Sequence, residues 1–234
     1  MSVESPAEGN PAAALSTYFR ILWREVVSIV VLSVLFSLAT LSVLPMGAAM
    51  IALVDTFYTS VTFTGTGGGI PPRTIDRANY FMQRIWTYMR TGLVYTVMLL
   101  LSAVGLVLYP QFALRGNSVF QFLFGIAGIY ATVLVLVLLF RAGNLVVHAE
   151  DRDDDRPGFR SAVGTAWSEL RASPGYLAAH VVAAATVTVV CMAFPVSLAV
   201  VLPGMLALLE VVMYEELDGV GAKAIRYAYE DPQT

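Results

Sequence analysis

Charge is scarce in this chain. Of its 234 residues 13% are charged, against 57% hydrophobic, and the mean hydropathy is +0.71. A soluble domain carries about 25% charged residues, and a water-soluble fold needs polar side chains to cover its surface. The shortage excludes an ordinary cytosolic enzyme and a disordered chain. The net charge of -3 supplies no basic field, which excludes nucleic acid as a partner. One cysteine, Cys191, excludes a disulfide framework and a cysteine-rich metal site. The two histidines, His148 and His180, lie on different segments. No Gly-x-Ser-x-Gly or His-Glu-x-x-His motif occurs. The expectation is therefore a non-enzymatic chain with no cofactor and no metal.

Long apolar runs are what the sequence has in quantity. Crossing about 30 Å of hydrocarbon takes about 20 apolar residues. Residues 26–44, 91–109, 119–140, 176–194 and 196–213 meet or approach that length. A sixth run, 46–63, is shorter and holds Asp55. The runs are continuous, without the alternation of a membrane barrel. Pro45 with Gly47, Tyr109 with Pro110, and Pro195 stand where hairpin turns are needed. The expected fold is all-α: a polytopic transmembrane helical bundle of six spans in three hairpins, or five spans plus a re-entrant segment at 46–63.

Residues 1–15 are small and polar without a basic residue, unlike a secretory signal, and read as a disordered leader. A single bundle domain then covers 16–214, with cytoplasmic loops 64–90 and 141–175 and a cytoplasmic tail 215–234. With six spans and an inside N-terminus, 13 of the 14 basic residues fall inside, only Arg115 being outside. With 46–63 re-entrant, Arg20 and Arg24 also move outside. The expected location is the plasma membrane, multi-pass, both termini cytoplasmic. Thirteen arginines against one lysine, beside an acidic loop, fit a high-GC, salt-adapted prokaryote.

The loops carry two amphipathic stretches. Gly65-Thr66-Gly67-Gly68-Gly69 is followed by Ile70-Pro71-Pro72 rather than by Lys-Ser/Thr. It therefore reads as a linker and not as a phosphate loop. Ile75, Ala78, Met82, Ile85, Trp86 and Met89 then recur at helical spacing. This is either a helix on the inner leaflet or the extension of the next span. His148, Glu150, Asp151 and Asp153 to Asp155 read as a solvated acidic loop. Behind them Phe159, Val163, Trp167 and Leu170, with Ala162 and Ala166, form one apolar stripe, stopped by Ser173-Pro174-Gly175. That stripe must bury against the leaflet, the underside of the bundle or a partner. It is the candidate partner-docking helix.

Asp55 and Glu210 are the candidate intramembrane polar residues. Each is followed by a tyrosine one turn on, Tyr58 and Tyr214, and each follows a proline turn. A buried charge in lipid is costly unless paired or functional. The functional reading puts both on a path for a proton, an ion or a polar substrate. The structural reading makes Glu210 interfacial and bonds Asp55 to Thr56, Thr59 or Thr62. His180 reads as interfacial and Cys191 as apolar filler. The small residues at Gly47-Ala48-Ala49, Gly125 with Gly128, and Ala183 to Ala185 read as helix–helix seams.

Leu41-Ser42-Val43-Leu44-Pro45-Met46-Gly47-Ala48-Ala49-Met50-Ile51-Ala52-Leu53 resembles the Leu-Pro-x-x-Thr-x-Gly-Ala-x-x-x-Ala-Leu pattern of the YesL-like family of small bacterial membrane proteins. Ser42 stands where the family has proline, and Pro45 where it has threonine. The phenylalanine-led amphipathic stretch from Phe159 is similar too. The resemblance implies no catalytic residue. It implies an accessory or regulatory subunit of a transport system, with carbohydrate uptake as the expected setting. The expected partners are the lipid bilayer and a transporter subunit or other membrane protein on the cytoplasmic side, with a homo-oligomer as a further expectation. The alternative is a small transporter or channel with Asp55 in the path.

Overall fold

The computed structural model describes residues 10–62, 73–151 and 156–219, together with Gly221 and Ile225. Among the described residues the ten helices are α1 (Pro11–Arg24), α2 (Val26–Thr40), α3 (Met46–Thr62), α4 (Thr74–Thr87), α5 (Met89–Arg115), α6 (Val119–Asp151), α7 (Phe159–Ala172), α8 (Pro174–Met192), α9 (Pro195–Val200) and α10 (Leu202–Asp218). Among the described residues there is no strand. Helices α5, α6 and α8 are each long and apolar enough to cross a membrane. The pair α1 and α2, bent by 84°, makes a fourth candidate if it counts as one span. The all-α class and the membrane character are as expected.

The boundaries differ in several places. The leader is already helical from Pro11, because the Asn10 side chain accepts from the backbone N–H groups of Ala12 and Ala13 and caps the helix. The turn expected at Tyr109-Pro110 does not form. Helix α5 runs through Pro110 to Arg115, held on α6 by a glycine seam. A Cβ on Gly125 would meet the Ala113 backbone at 2.5 Å, and one on Gly128 would meet the Tyr109 ring at 2.1 Å. Helix α6 does not end at Phe140. It continues through Arg141 to Asp151, because carboxylates from other helices meet that charge. The last apolar run breaks at Val201, since Pro203 starts a new helix better than it continues an old one. Helix α10 then extends to Asp218, so the expected tail begins as buried helix. The Gly65 to Gly69 linker and the acidic Asp153 to Asp155 lie outside the described residues.

One pattern recurs three times. An amphipathic helix of 14 residues (α1, α4, α7) leads into a second helix that starts 15 positions after the first began: 11 and 26, 74 and 89, 159 and 174. Corresponding positions are buried: Ala14, Arg77 and Ala162; Tyr18, Phe81 and Ala166; Leu32, Tyr95 and His180. The position of Phe19, Met82 and Trp167 is exposed in all three. The last helices, α3, α6 and α10, pack on one another in the centre, and each amphipathic helix packs on the last helix of the preceding unit: α4 on α3, α7 on α6, α1 on α10. Two of the central helices begin alike. The Gly47 N–H donates to Thr96 Oγ1 and the Gly204 N–H to Ser33 Oγ, both at 2.9 Å.

Helix α3 has a particular depth. A Cβ on Gly47 would sit 2.0 Å from the Gly92 carbonyl oxygen, while Asp55 reaches Arg84 and Thr59 lies 3.5 Å from the Tyr80 hydroxyl. So α3 starts beside the second turn of α5 and runs antiparallel along α4. It leaves the length from Thr96 to Arg115 to pack on α6.

Candidate functional site

Besides buried Arg77, which pairs with Glu25 and Ser28, two larger arginine-centred clusters organise the polar interior of the described residues. The first is built on α3. Asp55 is 2% exposed and pairs with Arg84 of α4. It also accepts from Tyr88 at 3.2 Å, from Tyr80 at 3.3 Å and from Thr59 at 3.3 Å. Arg84 continues to Glu150 of α6 at 2.8 Å, and Glu150 to Arg156 at 3.0 Å. Burial lowers the proton affinity of Arg84, but the Asp55 carboxylate beside it more than reverses this. The main partners of Asp55 are therefore a cation and two phenols rather than the threonines of its own helix. Thr59 joins them; Thr56 instead bonds the Ala52 carbonyl at 2.7 Å.

The second cluster surrounds Arg141, which is completely buried. Nη1 donates to Glu210 at 3.3 Å, Nη2 to Asp218 at 3.1 Å and Nε to Glu169 of α7 at 3.2 Å. The guanidinium also lies 4.4 Å from the centre of the Tyr214 ring. Glu210 is 1% and His180 2% exposed, so both side chains are buried inside the protein. Burial pushes the Glu169 carboxyl above its usual range, against the pull of Arg141.

His148 is not in a solvated loop. It sits in the last turns of α6 between Tyr58 of α3 and Tyr214 of α10, both ring centres 4.3 Å away. Nδ1–H can donate only to the Asn144 carbonyl, at 3.0 Å, which turns Nε2 to Glu215 Oε1 at 3.2 Å. The two tyrosines of the faint echo in the sequence thus converge on one imidazole.

No family model, no curated protein and no solved structure matches this chain. The site stands on its own geometry. Among the described residues no group of three or more histidines, cysteines or carboxylates is placed to hold a metal ion.

The stripe on α7 is largely taken up inside the chain. Leu170 is buried, Phe159 and Val163 are half-buried, and Phe159 packs edge-on against Tyr95 at 4.9 Å. Trp167 stays outward, as do Arg160 and Arg171. An apolar recess lies elsewhere, on the flank of the α5–α6 hairpin, with a volume of about 480 Å³. Ser102, Gly105, Ala131 and Thr132 line it, with Leu101 and Leu108 at its sides. The sequence offered one signal for this recess, the small residues of two long runs. It offered none for the arginine clusters, whose members come from helices far apart in the chain.

Proposed function

We propose that this chain is a multi-pass, non-enzymatic membrane protein that serves as an accessory or regulatory subunit beside another membrane protein. The observation that carries this reading is the open recess on the hairpin. A groove floored by small residues lets a transmembrane helix approach closely. The partner is a helix of a transporter component. The resemblance to the YesL-like pattern supports that class and points to carbohydrate uptake. Trp167, with Arg160 and Arg171, gives the same partner a second contact on the cytoplasmic side. The test is a photo-crosslinker at Leu108 in native membranes. A heteromeric product of fixed mass, lost when Ala131→Trp fills the groove, supports the reading. A homodimeric product supports self-association instead, and lipid adducts alone overturn both.

The membrane level follows from the same hairpin. From Thr96 to Arg115 α5 is about 29 Å long at 1.5 Å per residue, the thickness of the hydrocarbon. We place the bilayer there, with the arginine clusters at its cytoplasmic border. Helix α3 then enters only shallowly. At this level Asp55 lies beside partly exposed Arg84 and Glu150 and not along a path through lipid, which weighs against the transporter alternative. The three tryptophans, Trp23, Trp86 and Trp167, are all outward-facing, at 79%, 73% and 42% exposure, and take the headgroup level. In nanodiscs their fluorescence should be quenched more strongly by bromines near the headgroups than by bromines at the chain ends. The reverse order would remove this placement.

A further inference from the structure

Around the Arg141 cluster four buried polar atoms stand unanswered: Glu210 Oε2, His180 Nδ1 and both amide atoms of Asn144. Glu210 Oε1 takes the guanidinium, while Oε2 faces His180 Nε2 at 3.4 Å in poor alignment. His180 Nδ1 has no partner at all. The Glu210 and His180 side chains line a small cavity between α6, α8 and α10, whose wall also includes Val133, Val137, Ala184, Thr188 and Leu206. Its volume, about 10 Å³ of space for a water centre, is room for one molecule. An apolar hole of this size stays dry. One with a carboxylate and an imidazole on its wall has the donors and acceptors a water needs.

Charge adds a second argument. One guanidinium, Arg141, faces three carboxylates: Glu169 from α7, and Glu210 and Asp218 from α10. The other ionisable groups around the cluster are His180 and Tyr176 from α8 and Tyr214 from α10; His148 with Glu215 forms the neighbouring pair. Glu169 and Asp218 reach the surface, at 24% and 40% side-chain exposure, whereas Glu210 is buried and must share its one counter-charge with both. A buried carboxylate short of counter-charge is relieved by binding a cation, and a proton is the smallest.

We propose that this pocket is a proton-binding site, with one exchangeable proton held between Glu210 and His180 and one water in the cavity to relay it. The proton arrives from water and bonds to Glu210 Oε2, which faces the His180 imidazole. No other bond changes, and nothing is oxidised. The carboxyl group left on Glu210 no longer competes for Arg141, which leaves the guanidinium to Glu169 and Asp218. Proton occupancy thereby tightens the hold of α6 on α7, where Glu169 sits. The inference does not rest on the partner reading above.

The experiment is an infrared pH titration of the full chain in nanodiscs, with the glutamate carboxyls isotopically labelled. A protonated-glutamate band that titrates reversibly and is missing in Glu210→Gln is expected. Ala184→Val narrows the cavity without touching a charge. It should move the titration midpoint by about tenfold in proton affinity, about one pH unit, as should His180→Gln. A wild type without a titrating glutamate band overturns the proposal. So does a midpoint that neither variant moves, whether or not Glu210→Gln folds.

Discussion

Arg141→Leu is expected to be the most damaging single substitution in this chain, at about 3–5 kcal/mol. The side chain is wholly buried and holds Glu169, Glu210 and Asp218 at once. Removing it leaves the Glu210 carboxylate, 1% exposed, in an apolar surround with no counter-charge. The loss is mostly the cost of that stranded charge rather than the value of the pair itself. Thermal unfolding in mild detergent should show a sharply lowered Tm. The double variant Arg141→Leu, Glu210→Gln should recover part of it, because the second change removes the charge the first exposed. Equal damage in the single and double variants would mean that Arg141 acts through packing alone.

Gly92→Leu should come close to it by a different route. A Cβ at Gly92 would lie 2.2 Å from the Ala48 nitrogen and 2.6 Å from its Cα, backbone atoms that cannot rotate away. The larger side chain must push α3 off α5 and break the hydrogen bond from the Gly47 N–H to Thr96. Overpacking of this kind costs about 1–3 kcal/mol, more where only backbone can yield. Gly164→Leu is the control, since a Cβ there meets nothing within 4 Å. Hydrogen exchange on α3 should rise in the first variant and stay unchanged in the second. Equal behaviour of the two would show that the α3–α5 contact is not tight.

The helices and the lipid character were legible because hydropathy is a local property and most apolar runs became helices near their expected bounds. Helix ends were less legible. Pro110 marks a turn only if the helix needs the hydrogen bond it removes, and tight packing on α6 makes that bond dispensable. Leu22-Trp23 and Ile85-Trp86, at the same offsets from the starts of α1 and α4, held a readable trace of the repeated pattern. The polar sites were half legible. Asp55 and Glu210 stood out as single charges in apolar runs, but their arginines lie 29 and 69 positions away. A period of 3.6 residues carries no information over that distance. The docking stripe on α7 shows the same limit, since periodicity identifies a face that must be covered and not what covers it.

The hairpin of α5 and α6, with 27 and 33 residues, stands beside neighbours of 15 to 19 residues in α2, α3, α8 and α10. Seated in lipid, such a molecule is a wedge, tall along one edge and short along the opposite one. The tall edge matches the hydrocarbon, and lipids must compress to match the short one, at fractions of a kcal/mol per Å of mismatch. The protein would then carry its own gradient of bilayer thickness around its perimeter. Acyl-chain length in reconstituted membranes would change how it tilts and which neighbours it keeps.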